Sequence, residues 1–213
     1  MVPSLHSKPE VFTTNHDTIS ETLFPSAHLT EDGVTALVDM PGSGDTRGKP
    51  ELICGGVVDQ LTYQQLETLK GIGMVCPLYE LQSSKLTGLR TLFENIGMMF
   101  QGIPDDVMKQ HLFLVLTKTT EGYQASTAVH MLQKWMNSRE YLNVNEASDP
   151  RQWAVKRVLS ILTSKPDAVL VLDATSKTSI ESLNTKIAAM PTIESNQLKF
   201  PTPVKLCHSL KCS

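Results

Sequence analysis

The chain has 213 residues, of which 40% are apolar, and a formal net charge of −3. That is enough apolar material for a real core in one domain, with room for a small appendage. The near-neutral charge gives no sign of nucleic-acid or anionic-membrane binding, and the absence of an apolar run near ~18 residues leaves no membrane span to expect.

The first residues, MVPSLHSKPE, lack the basic and apolar regions of a signal peptide, so a cytoplasmic, reduced chain is the expectation. Residues 1–17 read as a polar tail, 18–190 as an α/β domain and 191–213 as a proline-containing C-terminal tail. Thr18 to Leu29 alternates in part, and Pro25 inside it demotes it to an edge strand. Glu31-Asp32-Gly33 turns into the apolar run Val34–Val38, predicted to be a buried strand that could pair with the first as a hairpin. Asp39 ends that run, and Gly42, Gly44 and Gly48 follow it. Residues 50–70 have mostly helical spacing, weakened by Gly55-Gly56. Met74–Leu81 predicts the next strand, irregular at Pro77, and Leu86–Phe100 a helix with Leu89, Leu92, Phe93 and Ile96 on one stripe. His111–Leu116 predicts a strand running into Thr117-Lys118-Thr119-Thr120, then Ala125–Met136 a helix.

Ser148-Asp149-Pro150 predicts a helix start, with a capping side chain followed by proline in the first turn. That helix runs to Lys165-Pro166. Asp167–Leu172 predicts the last strand, and Thr178-Ser179-Ile180-Glu181 fits a capping box for a final helix through Ala189. Strand and helix alternate from 34 to 189. The fold class is therefore α/β, a mostly parallel sheet with helices on both faces and the strand-end loops at one edge. Of the four cysteines, Cys54 and Cys76 have apolar neighbours and read as buried thiols, and none has zinc-type spacing. The six histidines are scattered, without a metal-spaced partner.

Asp39-Met40-Pro41-Gly42, extended to DMPGSGDTRG, resembles the Asp-x-x-Gly switch of P-loop GTPases in the DTPGxGDTRG form of septin-like and immune-associated-type G domains. The resemblance implies that Asp39 holds Mg²⁺, directly or through water, beside GTP or ATP, with Gly42 and Gly44 near phosphate. It implies a switch threonine ahead of the edge hairpin: Thr18 matches best by position, with Thr13, Thr14 and Thr22 as alternatives. Thr117-Lys118-x-Thr120 stands where the family has Asn/Thr-Lys-x-Asp, so Lys118 would pack over the base with Thr117 beside it. Thr120 replaces the acid that reads guanine, which weakens guanine selectivity because a neutral hydroxyl is the poorer acceptor. Thr175 falls in the loose base-contacting motif Asp173-Ala174-Thr175-Ser176.

The phosphate-cradling motif G-x-x-x-x-G-K-S/T is absent. Ser43–Pro50 imitates it, but serine replaces its first glycine, and Pro50 offers neither the hydroxyl nor an amide hydrogen. In the resembled fold the missing strand and P-loop helix come first, that strand lying between the Asp39 strand and the Met74–Leu81 strand. Two expectations follow: a GTPase-like fragment of a larger NTPase, inactive alone, or a degenerate, non-hydrolysing module that meets protein partners or self-associates. A third, an unrelated α/β domain, offers no nucleophile–base pair to nominate.

Overall fold

The computed structural model describes residues 25–30, 34–40, 62, 65–83, 86–173 and 176–198. The chain divides into two compact units, residues 1–61 with 203–213 and residues 62–202. In the first, β1 (Ser26–Leu29) pairs antiparallel with β2 (Ala36–Asp39), Ser26 opposite Asp39. Thr30 closes the hairpin, its amide and hydroxyl both donating to the Thr35 carbonyl at 2.8 and 2.9 Å. Pro25 precedes β1 rather than interrupting it. The hairpin expectation holds, but the expectation of a buried strand at Val34–Val38 does not. Val34 is 87% exposed and Leu37 37% exposed, and β2 has β1 as its only ladder partner among the described residues.

The second unit is built on a three-stranded parallel sheet in the order β4 (Ile72–Pro77), β5 (Leu112–Thr117), β6 (Val169–Val171). β5 lies in the middle, which is why its sequence is continuously apolar: a central parallel strand is covered on both faces. Leu112, Leu114 and Leu116 point to one face with Met74 and Cys76, all buried in the main core. Phe113 and Val115 point to the other. A separate two-stranded antiparallel ladder joins β3 (Thr68–Leu69) to β7 (Ile193–Glu194).

Three corrections concern element boundaries. Met74–Leu81 is not one strand: β4 ends at Pro77 and Leu78–Gln82 forms a short helix, α1. Pro77 lacks an amide hydrogen to continue a ladder and supplies the fixed φ that starts a helix. His111 does not open β5 but closes helix α3 (Asp105–His111), which the sequence reading missed. Residues 191–198 are not a tail, because Ile193 and Leu198 are buried in the core.

Helices α2 (Thr87–Met99), α4 (Ala125–Met136) and α5 (Pro150–Ser164) cover the first sheet face. α5 starts as its sequence demands, with the Asp149 carboxylate accepting from the Gln152 amide at 3.0 Å and proline next in line. Its Arg157 donates to the Phe100 carbonyl at 2.8 Å, to the Ile103 carbonyl and to Asp105 at 2.6 Å, tying down the turn between α2 and α3. Helix α6 (Lys177–Ala189) lies on the opposite face, its Leu183 and Ile187 packed on Phe113 and Val115. Its cap is Ser176, which accepts from the Ser179 amide at 3.3 Å; the expected Thr178–Glu181 box is instead inside the first turn.

Candidate functional site

The helix layers make one place in the sheet special. β5 leads into α4 and α5 on one face, whereas β6 leads into α6 on the other. Chains departing to opposite sides leave a crevice between the carboxyl ends of the two strands, and open α/β sheets bind their ligands outside the carboxyl ends of their strands. The Leu172 amide donates to the Leu116 carbonyl at 2.8 Å, one step past the last paired residues, Leu116 and Val171. That bond sets Thr117 abreast of Leu172, and the ladder ends there, because Lys118 has left the extended conformation.

Lys118 is the first residue beyond β5, and it has φ +51°, in the left-handed region. A non-glycine side chain there costs on the order of 1 kcal/mol and persists only where the surroundings impose it. Lys118 is exposed, with no carboxylate of the described residues in ion-pairing range. After it the chain turns back, the Tyr123 amide donating to the Thr120 carbonyl at 3.1 Å with Gly122 at φ +76°. The other wall is fixed by Ser179, whose hydroxyl donates to the Val171 carbonyl at 3.3 Å and accepts from the Asp173 amide at 3.1 Å. The Ser176 amide donates to the Asp173 carbonyl at 3.0 Å. Behind this wall lies a cavity of about 330 Å³ between the sheet and the start of α6, with Val115, Leu170 and Leu172 as floor and Ser176, Ser179 and Ser182 along its side.

Of the residues singled out in the sequence, Thr117 and Lys118 stand at this crevice. Asp39 ends β2 in the other unit, half-buried. Thr18, Gly42, Gly44 and Thr175 lie outside the described residues, as do Thr13, Thr14 and Thr22. No group of three or more His, Cys, Asp or Glu that could hold a metal occurs among the described residues. Asp173 entered the sequence reading only as part of the loose base-contacting motif and Ser179 only as part of a capping box; the part Ser179 plays in fixing the end of β6 comes from the structure. Their signal in the sequence was a carboxylate just past a strand, followed by a serine in the next helix's first turn.

No protein-family model matches the chain, and no curated protein or solved structure matches it significantly. No helix among the described residues is long and apolar enough to cross a membrane.

Proposed function

We propose that the chain is a GTPase-like nucleotide-binding domain, in which the second unit holds the base of GTP or ATP at the crevice between β5 and β6. The observation that carries this reading is Lys118, held in a strained conformation where two connections part to opposite faces. From there its aliphatic stem can cover the flat face of a base while the ammonium stays in water. The helix placement supports it, since an α/β domain of the resembled kind has its last helix opposite the two preceding ones. Asp39, in the first unit, stays a candidate Mg²⁺ ligand by the sequence resemblance alone, a carboxylate being a hard oxygen ligand suited to that ion. The chain hydrolyses nothing at an enzymatic rate, because phosphoryl transfer depends on positioning and charge neutralisation by the loop that its sequence lacks.

Calorimetric titration of the full chain with Mg²⁺ and GDP or ADP tests the reading. Binding that Lys118→Ala weakens on the order of tenfold supports it; no heat of binding with either nucleotide at millimolar concentration refutes it.

A second reading rests on its own observation. β4 has β5 on one side only among the described residues, and Val75 on its outer face is 64% exposed. A bare strand edge with an apolar face is a template for association, which fits a non-hydrolysing module for protein partners or self-association. Sedimentation of the wild type and Val75→Lys separates the two: a monomer unaffected by the substitution counts against self-association.

A further inference from the structure

We infer that the chain forms a two-fold symmetric dimer through the free edge of β4, which pairs antiparallel with β4 of a second copy about Met74. This deepens the second reading above and rests on it, adding the partner and the register. Alternation along the strands identifies the groups on that edge. The Leu172 amide donates to the Leu116 carbonyl, so the even residues of β5 turn their backbone groups to β6 and the odd ones to β4. In the parallel register, the even residues of β4 bond to β5, which leaves Gly73, Val75 and Pro77 facing outward. Pro77 agrees, because it is paired with Thr117 without an amide hydrogen to give.

The two edges of the sheet differ. On β6 the Val171 carbonyl is occupied by the Ser179 hydroxyl, and Asp167 and Asp173 flank the strand in sequence. Local bonds and charges of this kind blunt an edge. β4 has neither. From Gly71 to Tyr79 its sequence GIGMVCPLY is uncharged, and the Gly73 and Val75 backbone groups have no partner among the described residues. Two copies therefore meet there without opposed like charges. Pairing about Met74 sets Gly73 opposite the second copy's Val75, twice over. Each such pair exchanges two backbone bonds, so both outward donors of each copy are used. Pairing about Val75 would instead set Gly73 opposite Pro77, which cannot donate. The side chains fit the same register. Val75 is 64% exposed, and Gly73 has no side chain, the Phe113 ring lying 2.8 Å from where its Cβ would stand. Each valine then faces the other copy's glycine, on the sheet face that carries Phe113. An edge of 6 residues buries less than the ~1,200 Å² of a standard interface, so the dimer forms only as concentration rises.

Sedimentation of the full chain over a concentration series, with amide hydrogen exchange at both ends of it, tests the inference. The expected result is a monomer–dimer equilibrium in which the Gly73 and Val75 amides are protected at high concentration and exchange freely at low. Val75→Pro removes an outward donor that the β4–β5 ladder does not use, and should weaken the dimer on the order of tenfold or more. Should that variant fail to fold, the exchange pattern of the wild type decides alone. A dimer that leaves the Gly73 and Val75 amides unprotected, or that a folded Val75→Pro does not weaken, overturns the inference and leaves self-association standing. A monomer at every concentration overturns both and leaves other protein partners. Protection of the two amides in the monomer shows that another segment of the chain covers the edge, and overturns the inference as well.

Discussion

Gly97 of α2 lies against the backbone of Ala154 in α5, so closely that a Cβ on Gly97 would come within 2.5 Å of the Ala154 carbonyl oxygen and 2.8 Å of its carbon. The obstacle is backbone, which cannot rotate aside. Gly97→Ala should therefore push the two helices apart and cost about 2–3 kcal/mol. Gly122 is the control of the other kind: φ is +76° and nothing lies within 4 Å of its added Cβ. Gly122→Ala should cost only the strain of that conformation, about 1 kcal/mol. Denaturant unfolding of both variants checks the order, and an unchanged midpoint for Gly97→Ala would contradict the close helix contact.

Tyr141 predicts a stability loss in alkali. Its ring is fully buried beside Trp135, ring centroids 6.1 Å apart, and burial pushes the phenol up to about 12. The folded value is the higher one, so this contribution is complete below pH 10 and disappears as the pH rises through 12. The loss is at most about 2–3 kcal/mol. The Tyr141 hydroxyl has no hydrogen-bond partner among the described residues, so Tyr141→Phe should cost less than about 1 kcal/mol at neutral pH. It should also flatten the alkaline decline, which leaves the part owed to Cys76, whose thiol burial raises to about 11. Unfolding midpoints of wild type and variant between pH 8 and 12, the range flagged by these ~10–12 values, measure the difference.

Lys118 should separate stability from binding. Glycine relieves the positive φ at some cost in chain entropy, so Lys118→Gly should be neutral or stabilising by up to ~1 kcal/mol. The same change removes the stem that covers the base, and nucleotide affinity should fall. Thermal melts and nucleotide titrations on the one variant read both effects. A fall in stability with binding unchanged would mean that the strain is structural.

The clearest parts of the sequence were those where local signals agreed. Ala125–Met136 was legible to the residue because its apolar spacing and its flanking turns coincide. Asp149-Pro150 marked the start of α5 for the same reason, cap and proline being adjacent. Helix α3 was not legible: Pro104 precedes it and His111 ends it, yet its 7 residues, about two turns, are too short for a periodic stripe. Pro77 was read as a flaw within a strand when it is the boundary between strand and helix. The crevice was half legible. Thr117 and Lys118 follow an apolar strand, but the end of β6 is brought beside β5 only by a parallel register that pairs residues more than fifty positions apart. The side on which α6 packs depends on tertiary contacts and has no local sequence signal.

The most direct test of base binding at the β5–β6 crevice is a set of amide proton–nitrogen NMR spectra recorded while Mg²⁺ and GDP are added to the full chain. Saturable shifts concentrated at Thr117, Lys118, Thr119, Thr120, Asp173 and Ser176 are the expected result. No shifts at millimolar GDP, or shifts confined to β4 around Val75, would contradict it.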